Sequence, residues 1–300
     1  MSFVVPSPTG SLNAISKSSS QVPEDLSKRV LVVEGNASET TARIVSHGGQ
    51  PHADLYATLL RSLSPHVECE IIRPADAEPK ARDWSKYDGA VWTGASLSAF
   101  EPTAPVIRQV DLMPRILDAK VPVFGSCWGL QVFAQAYGGE VTPMTHHETP
   151  LALDVMLNEE GAAHPMFQGK PRVFHSYSVH SDEVTRLPAR AVLLASNARC
   201  QVQAAAYEHD GASFWGVQYH PEFDRRVMVS VLRRLCDHLV EEGIYPNAEA
   251  VESEASRFDS GTFEVEGLAE RKSLTDARIR HIEIRNWLEH VVGARCNGTR

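Results

Sequence analysis

Residues 121–131, VPVFGSCWGLQ, leave the backbone few choices. Val121 to Phe124 is a short apolar run, of the length and composition that fit a strand buried on both faces. Trp128 to Tyr137 reads as a helix, with Leu130, Val132, Phe133 and Ala136 available for burial. A tight strand-to-helix turn must join the two, and Gly125 and Gly129 supply small neighbours where the backbone crowds. Cys127 stands on that turn, at the helix N-terminus, where unpaired N–H groups and the helix dipole favour a thiolate. The backbone N–H of Trp128 follows directly and is placed to hold a developing oxyanion.

About ninety residues later comes FWGVQYHPEF, residues 214–223. His220 and Glu222 are two apart, so on an extended segment they project to the same face. A carboxylate there can hold the imidazole in one tautomer and stabilise its charged form. Thiol, imidazole and carboxylate are the parts of an activated-nucleophile site. The rival reading of Cys127 alone is a buried core cysteine, and of His220 alone a surface or satisfied core histidine. The two motifs in this order displace both.

The rest of the chain alternates. Val30–Val33, Glu70–Ile72 and Gly89–Trp92 read as strands, and Leu55, Leu59, Leu60 and Leu63 mark a helix. Val106, Val110, Met113 and Leu117 mark another, with Pro114 a possible kink. Such alternation predicts an α/β fold with a mainly parallel sheet covered on both faces. Residues 151–157, 191–196, 202–208 and 213–219 are strand-like with little helix between them and are expected to add antiparallel strands at one side. In such sheets the active site lies beyond the carboxyl ends of the strands, where Cys127 falls. Met228–Leu239 closes this domain as a helix. Residues 246–266 read as an acidic linker and Arg271–Val292 as an amphipathic C-terminal helix, docked on the domain or on a second subunit. The expected division is a Ser-rich disordered tail over 1–28, one catalytic domain over 29–245, and the linker with its helix over 246–300.

G-x-C-x-G-x-Q followed by Y-H-P-E resembles the class I, triad-type glutamine amidotransferases, over residues 29–242. The likeness extends to GMP-synthase-type amidotransferase domains and to free-standing γ-glutamyl peptidases. It implies a flavodoxin-like three-layer sandwich and a triad of Cys127, His220 and Glu222. Thr93-Gly94-Ala95-Ser96 stands where the family reads S-G-G-P, which makes the N–H of Ala95 the second oxyanion donor, beside Trp128, and adds Gly94 to the substrate loop. SVHSDEVTRLP, residues 178–188, resembles S-H-G-D-x-V-x-x-L-P, whose backbone grips the α-groups of glutamine; here Val179, His180 and Ser181 occupy the gripping positions and Asp182 matches. Gln131 matches a further glutamine-contacting position.

The resemblance implies hydrolysis of a γ-glutamyl amide through a thioester on Cys127, with a small-molecule substrate and no metal or organic cofactor. The amine either passes to a separate synthase subunit or is released by a free-standing γ-glutamyl peptidase, because no P-loop GxxxxGK[ST] follows the domain. A catalytically silent glutamine-binding regulator is disfavoured by the intact triad residues. An α/β-hydrolase is disfavoured because its acid precedes the histidine by many residues. A net charge of −9 without a basic patch argues against nucleic acid, and no apolar run is long enough for a membrane span. Five scattered cysteines and no presequence signature lead to the expectation of a reducing, cytoplasmic setting.

Overall fold

Side chains alternate along the first strand, β1 (Lys28–Val33), and that alternation builds two layers of core. In the computed structural model, which describes residue 1 and residues 27–262 and 268–293, Leu31 and Val33 enter one hydrophobic cluster and Val30 and Val32 the other. The parallel strands that follow are β2 (Val67–Ile72), β3 (Gly89–Trp92) and β4 (Val123–Ser126). Between them run α1 (Ser38–Ser46), α2 (His52–Leu63) and α3 (Ala104–Asp118); α3 contains Pro114. After α4 (Trp128–Ala136) come β5 (Glu140–Glu148), β6 (Leu151–Leu157), the short α5 (Glu159–Ala163) and β7 (Val173–Tyr177). Strands β8 (His180–Arg186), β9 (Val192–Ser196), β10 (Ala204–His209) and β11 (Ala212–Val217) complete the set.

The described strands form a nine-stranded sheet of order β2-β1-β3-β4-β11-β10-β9-β6-β7 and a separate β5-β8 pair. The 2-1-3-4 order with helices on both faces is the flavodoxin-like arrangement, whose ligand crevice opens beyond the strand C-termini. One expectation shifts. The segment 213–219 was assigned to the antiparallel side, yet β11 runs parallel to β4 and antiparallel only to β10. It is the seam between the two halves, and this seam delivers His220 beside Cys127.

The expected linker is corrected. Ala248–Ser260 is a helix, α8, capped by Asn247 Oδ1, which accepts the Ala250 N–H at 2.9 Å. Val251, Ala255 and Phe258 share one face and pack in a third cluster with α6 (Arg225–Arg234) and α7 (Cys236–Glu241). The C-terminal helix is also not continuous. It divides into α9 (Leu268–Thr275), α10 (Ala277–Arg280), α11 (Ile282–Asn286) and a π-helical turn Trp287–Val292. Asp276 makes the first break by accepting the Arg278 N–H at 2.9 Å. This segment docks on its own chain. Ile284, Trp287, Leu288 and Val292 are buried in the second cluster, and Glu283 holds a buried ion pair with Lys170 at 2.8 Å. Burying side chains of this size contributes about 1.5–3 kcal/mol each. The expected disordered tail lies outside the described residues apart from Met1, Ser27 and Lys28. No helix among the described residues is long and apolar enough to cross a membrane.

Candidate active site

Cys127 has φ 49° and ψ −100°, a conformation that side chains rarely adopt and that costs about 1–3 kcal/mol. The surroundings hold it there. Its N–H donates to the Val217 carbonyl of β11 at 2.8 Å, and its carbonyl accepts from Leu130 and Gln131 as α4 begins. A Cβ on Gly125 would lie 2.8 Å from the Gly129 backbone, so β4 and α4 can meet this closely only through glycine. The Trp128 N–H is the first of α4, and the helix offers it no carbonyl a turn earlier.

His220 is fixed on the opposite side. Its N–H donates to the Tyr177 carbonyl at 2.8 Å, Phe223 stacks on its ring at 4.0 Å, and its Nδ1 bonds Glu222 Oε1 at 2.8 Å. Its Nε2 has no hydrogen-bond partner apart from the Cys127 thiol, whose contact raises the imidazole pKa. Burial pushes the imidazole pKa down, but the Glu222 charge and then the Cys127 thiol outweigh it, and the net shift is upward. For Glu222 burial acts upward, and the His220 charge and hydrogen bond bring the carboxyl below its usual range. The pair therefore stands as imidazolium and carboxylate.

Two further residues grip that carboxylate. Tyr56 donates to Glu222 Oε2 at 3.2 Å and Ser126 donates to Oε1 at 3.1 Å, while Tyr56 also bonds Ser126 at 2.9 Å. All are buried. Burial, followed by the Glu222 charge, pushes the Tyr56 phenol well up, so it remains a donor. The sequence carried a hint for Ser126, the neighbour of Cys127, and none for Tyr56, seventy positions away from Ser126.

The 93–96 loop meets the Cε1 edge of the His220 ring. A Cβ on Gly94 would lie 2.6 Å from His220 Cε1. Alanine at 95 is accommodated because Gly35 opposite it has no side chain: a Cβ there would lie 2.9 Å from that of Ala95. The loop is braced from the segment that follows β1. Asn36 Oδ1 accepts the Ser96 N–H at 2.9 Å, and Glu34 in turn holds Asn36 and caps α2 through the Ala53 N–H at 2.8 Å. His52 lies over Phe223 and contacts the Gly94 carbonyl at 3.1 Å. Its pKa is lowered, first by burial, so this ring stays neutral beside the charged one.

A cavity of about 340 Å³ opens onto Cys127 and His220. Ala95, Gln131, Val179, His180 and Ser181 all reach its wall, while Glu222, Trp128 and Gly94 stand behind it. The Val179 carbonyl faces the Cys127 sulfur at 3.9 Å. Gln131 donates to the Asp182 carbonyl at 3.0 Å. The His180 ring has both nitrogens engaged, Nδ1 with the Asp182 carbonyl at 2.9 Å and Nε2 with Glu148 at 3.0 Å. It braces the strand; any hold on a ligand falls to the backbone beside it. Among the described residues no cluster of three His, Cys, Asp or Glu side chains is arranged for a metal ion.

The model of the class-I glutamine amidotransferase family matches residues 57–238. The chain is 35% identical over 275 residues to a γ-glutamyl-L-1-hydroxyisopropylamide hydrolase from a Pseudomonas species, covering 88% of this chain and 93% of that one. It is 32% identical over 191 residues to a glutamine-hydrolysing GMP synthase from Thermomicrobium roseum, covering 64% of this chain and 33% of the synthase. A glutamine amidotransferase crystal structure from Thermotoga maritima superposes with a TM-score of 0.62 at 19% identity, covering 88% of this chain and 98% of that one. That likeness concerns the fold.

Proposed function

This chain belongs to the class I glutamine amidotransferase family, and from that premise we propose that it cleaves γ-glutamyl amides of organic amines, with Cys127 as nucleophile, His220 as proton carrier and Glu222 as its orienting partner. The observation that carries the reading is the state of His220: Nδ1 is fixed by Glu222, and Nε2 is left for the Cys127 thiol. A hydrolase of this family that acts on a γ-glutamyl amide aligns over nearly its whole length, which supports an amine rather than ammonia as the released group.

His220 holds the proton taken from Cys127, and the sulfur attacks the γ-carbonyl carbon. A C–S bond forms and the carbonyl electrons move to oxygen, which the N–H groups of Ala95 and Trp128 stabilise. The C–N bond then breaks as His220 protonates the departing amine, leaving a thioester on Cys127. Water gives a proton to His220 and attacks the thioester. The C–S bond breaks and glutamate leaves. Gln131 and the backbone of residues 179–182 hold the α-groups of the glutamyl portion.

A glutamine-like chloroketone tests the assignment. It should modify Cys127 once, with protection by excess glutamate. Burial pushes the thiols of Cys69 and Cys200 up, so neither competes. Label on any other cysteine, or label indifferent to glutamate, would sink the proposal. A second reading, delivery of ammonia to a separate synthase subunit, rests on the similarity to GMP synthase. It requires that glutamine be turned over faster than any γ-glutamyl amine.

A further inference from the structure

The proton that releases the amine comes from His220 Nε2, so the amine must lie within hydrogen-bond reach of that nitrogen. The wall that continues from His220 is Phe223, then Val231, Arg234 and Leu235 at the end of α6 and the start of α7. The same wall goes on to His238 and Leu239 of α7, so it is apolar except for the Arg234 guanidinium and one imidazole. Arg234 is partly buried, and among the described residues it is joined to no carboxylate. Two acids reach the cavity wall. Glu101 is exposed, and Asp182 bonds Ser98 on the β8 side. Burial and the nearby Arg43 both disfavour the Arg234 cation, so the site gains by admitting an anion. A guanidinium offers a carboxylate two parallel donors.

We propose that Arg234 is a specificity residue that binds a carboxylate on the leaving amine, so that the preferred substrates are γ-glutamyl amides of amino acids or peptides. The inference rests on the γ-glutamyl hydrolase reading above and narrows it. A neutral amine fits the same wall but leaves the guanidinium without its anion, which is where discrimination arises.

The experiment compares kcat/KM for γ-glutamyl-alanine and γ-glutamyl-alaninamide, which differ only in that carboxylate. The wild-type protein should favour the acid by about 10- to 100-fold, the range for a charge-assisted hydrogen-bonded pair. Arg234→Gln should collapse this ratio toward one, and Arg234→Lys should retain part of it. Equal turnover of the two substrates by wild type overturns the inference and leaves the hydrolase reading standing. So does a preference that survives in Arg234→Gln. If wild type hydrolyses glutamine but neither dipeptide, the hydrolase reading fails and this inference fails with it. A thermal melt shows whether Arg234→Gln folds; if it does not, the wild-type ratio alone decides.

Discussion

Two buried histidine–glutamate pairs flank the same cavity, and they do opposite things. His220 and Glu222 lie 2.8 Å apart, His180 and Glu148 3.0 Å apart, and all four side chains are almost wholly buried. The difference is in what remains unfilled. His180 spends its second nitrogen on a backbone carbonyl, and Glu148 also accepts from Asn197 and Gln203 at 2.6 Å each. His220 keeps Nε2 for the Cys127 thiol. A saturated pair can only brace. A pair whose second nitrogen faces a strained cysteine can move a proton.

Replacing the sulfur breaks the comparison most sharply. Cys127→Ala should abolish γ-glutamyl release while leaving the melting temperature nearly unchanged, since alanine keeps the Cβ and only the sulfur is lost. Turnover by a folded mutant would refute the nucleophile assignment. His220→Ala comes next, with a loss of about 10²–10⁴-fold in kcat for removal of a general acid–base group. The corresponding change at His180 should cost less than about tenfold in the folded protein.

Glu222→Gln should be milder than His220→Ala, and its signature is a pH profile. In the wild type His220 is protonated beyond the ordinary imidazole range, and activity falls as pH rises through that elevated value. Removing the carboxylate charge destabilises the imidazolium, so the alkaline limb should move to lower pH. An unmoved limb would mean that Glu222 does not set the charge on His220.

The smallest catalytic effect belongs to His180→Ala, whose cost appears in stability. It leaves the buried Glu148 carboxylate short of a hydrogen-bond donor, a loss of about 1–3 kcal/mol readable by denaturant titration. Burial pushes Glu148 up, but His180, Asn197 and Gln203 hold its carboxyl below the usual range. A depressed carboxyl stabilises the fold above its unfolded pKa, and the stabilisation is lost as pH falls through the folded value. His220 has the reverse sign: its contribution is complete below the ordinary imidazole range and is lost as pH rises through the raised value. The two pairs should therefore fail at opposite ends of the pH scale. A His180→Ala protein as acid-sensitive as wild type would erase the distinction.

Much of this was open to a reader of the residues, though unevenly. The elbow around Cys127 and the run ending in His220 and Glu222 were legible because each is a local pattern with one physical use. The helix at 248–260 was misread as linker because its acidic residues dominate the composition. Val251, Ala255 and Phe258 at helical spacing, with Asn247 before them and Gly261 after, were the better signal. His180 lines the cavity, yet both nitrogens of its ring are engaged within the protein. Sequence places a histidine beside a motif; it does not say which neighbours will reach its nitrogens.

The chain by itself determined what is short in range. Alternating strands and helices specify a parallel sheet, the small residues around Cys127 specify a turn, and the spacing of His220 and Glu222 specifies a shared face. Tertiary structure decided everything that depends on long separations. Tyr56 reaches Glu222 across 166 positions, Asn36 braces the 93–96 loop across 60, and Glu283 meets Lys170 across 113. A hydrogen bond needs two atoms within about 3 Å, and for residues so far apart only the folded sheet, with β11 laid beside β4, brings them there.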